Sequence, residues 1–205
     1  MFLPLIATAA LAALQAAECP DPASAPGATW RGRATEEDRH RLHDWRDAWT
    51  DGLAAARAQG HQAEIAAEGA LLDPDAAQTE PAPPPGDYAC RTFKLGSRAP
   101  GGLAYVAYPA YTCRITADAS GNALGFTKID GSQRPIGLIY PDNDLRLVFL
   151  GTMQLGDEAR AYQYGIDGER DMIGFVERVG ANRWRLVLPR PNYESQIDVI
   201  ELTPR

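Results

Sequence analysis

From Asp87 to the C-terminus the chain falls into short runs of alternating apolar and polar residues, with no helical pattern between them. The runs cover 88–95, 104–108, 110–117, 123–129, 134–140, 145–154, 160–166, 172–179, 183–188 and 197–203. A period of two sends neighbouring side chains to opposite faces, which is the pattern of a strand. Turn signals stand between most of them: SerGlyAsn at 120–122, AspGly at 130–131 and 167–168, ProAspAsnAsp at 141–144 and GlyAlaAsn at 180–182. Asp-Gly tolerates the positive φ of tight hairpins, so the strands run antiparallel. Eight to ten sequential strands in 119 residues predict an up-and-down β-barrel, because closure removes exposed edges; a β-sandwich is the alternative.

Ahead of this domain, residues 35–72 carry a helical period. Thr35 can cap a first turn whose Glu36, Glu37 and Asp38 suit the positive end of the helix dipole. Leu42, Trp45, Trp49, Leu53 and Ala56 follow on one face, and Gly60 is a stop. A second, shorter segment, HQAEIAAEGALL, ends before Pro74. Two short helices do not make a core alone, so the tryptophan-bearing face must dock, most simply on the β-domain. PAPPPG at 81–86 reads as a stiff spacer within a Pro-rich linker, 73–86. The expected fold is therefore α+β and mostly β, an N-terminal helical pair followed by the antiparallel domain at 87–205.

The opening run MFLPLIATAALAALQAA has the apolar stretch and small-residue end of a secretory signal peptide, spanning 1–17, followed by an extended segment, 18–34. Gln15, Glu18 and Asp21 arrive too early for a membrane span. The expected location is periplasmic or secreted, with a lipid anchor on Cys19 as the lesser alternative. In an oxidising compartment Cys90 and Cys113 can pair; two reduced, buried cysteines are the alternative. No CxxC occurs, and no metal or other cofactor is expected.

Charge is unevenly divided. Residues 18–80 hold 13 acids and 6 arginines, whereas 81–205 hold 14 acids and 14 bases, which leaves no basic stripe for a nucleic-acid backbone. The bases are 18 arginines and only two lysines, Lys94 and Lys128, a bias read here as genome composition. In 183–188, Trp184, Leu186 and Leu188 share one face and Arg183, Arg185 and Val187 the other. If the helical unit covers one side, the arginine side is expected to be wet or to line a polar barrel interior.

Catalytic signatures are absent from this scaffold. No GxSxG occurs, and all three histidines, His40, His43 and His61, precede the β-domain. The polar residues singled out as ligand contacts are Arg134, Arg170, Asp171, Glu177, Arg178, Arg183 and Arg185, with Ser132 and Gln133 beside the first in GlySerGlnArgPro at 131–135.

The runs DRHRLHDWRDAW, EGALLDPDA, GDYACRTFKLG, YPAYTCRI, GSQRPIGLIYPD, VFLGTMQLGDE, YGIDGERD and RWRLVLPRPNYES resemble an exported bacterial family, domain-of-unknown-function family 4893, over residues 30–204. The resemblance implies export but no reaction, ligand or catalytic residue. An eight- or nine-stranded barrel entered by GlyAspTyr at 86–88 and carrying a disulfide also resembles the lipocalin-like plan. The leading expectation is a non-enzymatic periplasmic small-ligand binding or carrier module, whose partner is a small molecule or another exported protein. A protein-interaction or protease-inhibitor domain, and a hydrolase without a recognisable motif, are the alternatives. A carrier predicts a sizeable cavity, an interaction domain a filled barrel with an exposed apolar patch, and a hydrolase a cleft holding displaced pKa values.

Overall fold

The structure, a computed structural model, describes residues 29–118, 121–156 and 158–205. The signal-like run 1–17, Cys19 and most of the segment 18–34 lie outside the described residues. Four helices come first: α1 (Trp30–Arg33), α2 (Glu36–His43), α3 (Trp45–Ala58) and α4 (Gln62–Glu68), closed by a 3-10 turn at Gly69–Leu72. Thr35 caps α2 as its sequence suggests, its hydroxyl accepting the Asp38 N–H at 3.1 Å. The expected first helix is broken at Asp44 into α2 and α3, and α1 adds a turn inside the segment read as extended.

Nine strands follow: β1 (Gly86–Ser97), β2 (Tyr105–Ala107), β3 (Tyr111–Ala117), β4 (Leu124–Lys128), β5 (Gln133–Asn143), β6 (Arg146–Leu155), β7 (Asp171–Gly180), β8 (Arg183–Pro189) and β9 (Ser195–Pro204). All pairings are antiparallel, and β3 to β9 form an uninterrupted meander. β9 closes on β1 from Tyr88↔Pro204 to Ser97↔Ser195, giving an eight-stranded barrel rather than a sandwich. β3 holds the first half of one β1 edge, and short β2 continues that edge at Phe93 to Leu95.

Inside, a cluster including Tyr88, Ile115, Phe126, Ile139, Phe149, Val176, Trp184, Leu186, Ile200 and Leu202 fills the barrel. The Cys90–Cys113 disulfide lies among them, with 5.9 Å between Cα atoms. By closing a 23-residue separation it stabilises the fold by roughly 3 kcal/mol.

The helical unit packs outside. Trp49, Leu53, Ala56, Leu71 and Leu72 cover Phe93, Leu95, Val187, Ile197 and Val199, while Trp30, Ala34 and Leu42 cover Tyr140, Val148, Leu150, Ile173 and Phe175. Helix α3 crosses β1 and β9 at a point that admits only glycine: a Cβ on Gly52 would stand 2.9 Å from the Ile197 methyl and 3.1 Å from the Leu95 carbonyl oxygen.

Two expectations are corrected. Residues 160–166 form no strand. They belong to the long β6–β7 connection, whose Tyr164 accepts the Thr35 N–H and donates to Asp38, pinning the loop to α2. The arginine face of 183–188 is neither wet nor inside the barrel. Trp184, Leu186 and Leu188 point inward, and Arg185 is buried beneath the helical unit with its guanidinium 4.6 Å from the Trp49 ring centroid.

Candidate functional site

Alternation along the strands carries the inward face past the apolar core to one end of the barrel. There the positions in register with Cys90, Phe126 and Ile200 are Lys94 on β1, Lys128 on β4 and Asp198 on β9, and all three are buried. They line a cavity of about 180 Å³ together with Thr92, Tyr108, Tyr111, Ser132, Gln133 and Glu194, floored by Met153, Leu188 and Ile200. Both lysines of the chain therefore face one small cavity, open at the barrel end where Glu194 is exposed, while its 18 arginines all lie elsewhere.

The two ammonium groups are held differently. Lys94 Nζ stands 3.3 Å from Asp198 Oδ2 and 3.4 Å from Glu194 Oε2, and the Ser195 hydroxyl donates to the other Asp198 oxygen. Burial works against its charge, but the Asp198 and Glu194 carboxylates outweigh burial and hold Lys94 above the ordinary lysine range. For the enclosed Asp198, burial outweighs Lys94 and Ser195 and moves the carboxyl up. Lys128 Nζ instead donates to the backbone carbonyls of Asp130 and Gln133, each at 3.0 Å, and lies 4.0 Å from the Tyr111 ring centroid. The Asp130 carboxylate is turned to the Thr112 N–H, 2.8 Å away. Burial pushes the Lys128 amine below the ordinary lysine range; Arg134 and Lys94 add to this and Asp130 opposes it. Gly131 makes room, since a Cβ there would lie 2.7 Å from Nζ, and its φ of +88° suits the hairpin.

The seven polar residues expected from sequence divide between the two barrel ends, and none lines this cavity. Arg134 donates to the carbonyls of Gly131, Gly156 and Glu158, and Arg170 pairs with the Glu158 carboxylate at 2.5 Å, so these two meet around one residue. Asp171 nearby accepts the Gly165 N–H. Toward the other end, Arg178 contacts Glu80, and Arg183 contacts Glu68 and Glu201. Arg185 pairs with Glu177 at 2.6 Å and donates to the carbonyls of Ala70, Leu71 and Asp73, fastening the 3-10 turn to β8. Ser132 and Gln133, from the same polar run as Arg134, do reach the cavity. Lys94, Lys128 and Asp198 were missed. Their signal was a charge at an inward position of a strand, coupled with the scarcity of lysine.

A larger groove of about 920 Å³ runs outside the barrel, between β5–β6 and residues 159–164, and reaches Thr29. Among the described residues, the most exposed large apolar side chains are Leu103, Ile129 and Leu145 on three separate loops and Tyr162 and Ile166 together on the β6–β7 connection. Among the described residues no cluster of His, Cys, Asp and Glu is arranged to hold a metal, and no helix is long and apolar enough to cross a membrane.

A filled eight-stranded barrel with one polar end cavity defines the architecture. The chain belongs to the family described as Domain of unknown function (DUF4893), which it matches over residues 30–202. No curated protein and no solved structure matched the chain.

Proposed function

We propose that this chain is an exported, non-enzymatic binding module that takes a small carboxylate-bearing molecule into the barrel-end cavity. The observation that carries the reading is the burial of both lysines against one small cavity, where only Lys94 has carboxylate partners. An ammonium taken out of water without a counter-ion is costly, and a ligand carboxylate supplies what Lys128 lacks. The size of the cavity sets the ligand: a void of about 150 Å³ admits benzene, so 180 Å³ suits about six to eight non-hydrogen atoms. This is smaller than the cavity of a lipid carrier, and the apolar filling of the barrel supports the smaller cargo. Periplasmic or secreted placement is supported by the disulfide, which persists in oxidising compartments, and by the apolar run at 1–17.

Titration calorimetry with propanoate and butanoate, each against its uncharged amide, tests the proposal. The expected result is binding of the acids, none of the amides, and loss of binding in Lys128→Met. Equal response to acid and amide, or none to either, overturns it.

A further inference from the structure

We propose that Lys128 captures its ligand covalently, condensing with the carbonyl group of a small oxo acid. This rests on the cavity being the ligand site and adds the chemical class of the ligand.

The two cavity lysines are the only side-chain amines in the chain, and a guanidinium does not condense with a carbonyl at neutral pH. Their environments differ. Lys94, already matched by Asp198 and Glu194, remains an ammonium and takes no part in the reaction, so the carboxylate beside the carbonyl of the incoming acid is left to face Lys128 and pairs with the protonated imine once it forms. Lys128 has two N–H bonds fixed on the Asp130 and Gln133 carbonyls, which leaves one tetrahedral position on nitrogen. That position carries a proton in the ammonium and the lone pair in the free amine. Burial, with the Arg134 and Lys94 cations, outweighs the opposing Asp130 carboxylate and favours the free amine, the arrangement by which proteins make a lysine nucleophilic.

The chemistry balances without an oxidant or reductant. The nitrogen lone pair forms a C–N bond to the carbonyl carbon, the C=O π pair moves to oxygen, and one N–H proton passes from nitrogen to that oxygen. The resulting carbinolamine breaks its C–O bond as the second N–H proton leaves with the hydroxyl as water, so both bonds to the Asp130 and Gln133 carbonyls are given up and an imine is left: amine plus carbonyl gives imine plus water. Hydrolysis reverses the step and releases the ligand. Thr92, Tyr108, Tyr111 and Ser132 border the same cavity and bring hydroxyl groups to it for these proton transfers.

The test uses the full chain with glyoxylate and sodium cyanoborohydride at neutral pH. The reductant delivers hydride to the imine carbon and fixes it as a secondary amine, read by intact mass and peptide mapping. One adduct is expected, on the peptide carrying Lys128, forming about tenfold or more faster than on N-acetyl-lysine methylamide. Acetate, which has the charge without the ketone or aldehyde, should slow it, and Lys128→Met should remove it. Mapping on the unaltered chain keeps the test decisive if that variant folds poorly. Labelling confined to Lys94 or the N-terminal amine, or at Lys128 no faster than the free amine, overturns covalent capture. Calorimetry with propanoate then separates the two proposals: binding leaves the carboxylate site standing without carbonyl chemistry, and no binding removes both.

Discussion

Replacing Lys128 by methionine separates a lysine kept for a ligand from one kept for stability. The substitution preserves length and removes the charge. Lost are two hydrogen bonds from a cationic donor and one contact with the Tyr111 ring. The Asp130 and Gln133 carbonyls sit at a hairpin end where water can replace the donor, so these bonds amount to about 1 kcal/mol each, and the ring contact to about 1. Set against this loss of about 3 kcal/mol is the desolvation of an ammonium without a carboxylate partner, worth several kcal/mol, together with relief of repulsion from Lys94. The expected net change is within about 1 kcal/mol of zero, with carboxylate binding lost. Urea unfolding at pH 7, followed by tryptophan fluorescence, gives the midpoint and slope from which the change is computed. A loss above about 2 kcal/mol at unchanged slope would mean that the hairpin needs the lysine, and would refute the reasoning.

Arg185→Met should cost about 3–5 kcal/mol, because Glu177 keeps only Arg146 and three carbonyls lose their donor; a midpoint near that of the parent protein would sink this account. Asp171→Asn tests a pH dependence. Burial, with Asp38 and Asp167, moves the Asp171 carboxyl up against the opposing Gly165 N–H and Arg41. The native state therefore binds this proton more tightly than the unfolded chain. Between the ordinary carboxylate pKa and the raised native value, the Asp171 contribution grows as pH falls. The parent should gain on the variant as the pH is lowered from 7 toward about 4, and a pH-independent difference between the two would contradict this. Replacing both Cys90 and Cys113 by alanine should lower stability by roughly 3 kcal/mol in denaturant titration, and no shift would show that the unfolded chain gains nothing from release. Gly52→Ala should cost about 1–3 kcal/mol through overpacking against Ile197 and Leu95 while leaving carboxylate affinity unchanged; altered affinity would link the helix crossing to the cavity.

Much of the fold was legible because it is set locally. The Thr35 cap, the Trp49–Leu53–Ala56 face, the stop at Gly60 and the Asp-Gly hairpin at 130–131 each depend on residues a few positions apart. Residues 160–166 misled because tyrosines at 162 and 164 alternate as in a strand, while Tyr164 instead serves a hydrogen bond to α2 across 126 residues. Arg185 misled for a related reason. With helices outside and a packed core inside, both faces of β8 are buried, and alternation no longer marks a wet side.

The sequence by itself determined the antiparallel, mostly β domain with one strand too many at 160–166, the helical unit ahead of it and a pair of cysteines able to meet, since periodicity, caps and turns act over a few bonds. The tertiary structure alone decided that β9 closes on β1, that the arginine face lies under the helices, and that Lys94, Lys128 and Asp198 share a cavity. These three come from β1, β4 and β9, and only barrel closure, which pairs residues about a hundred positions apart, brings their charges into one low-dielectric space where their chemistry differs from that of surface lysines.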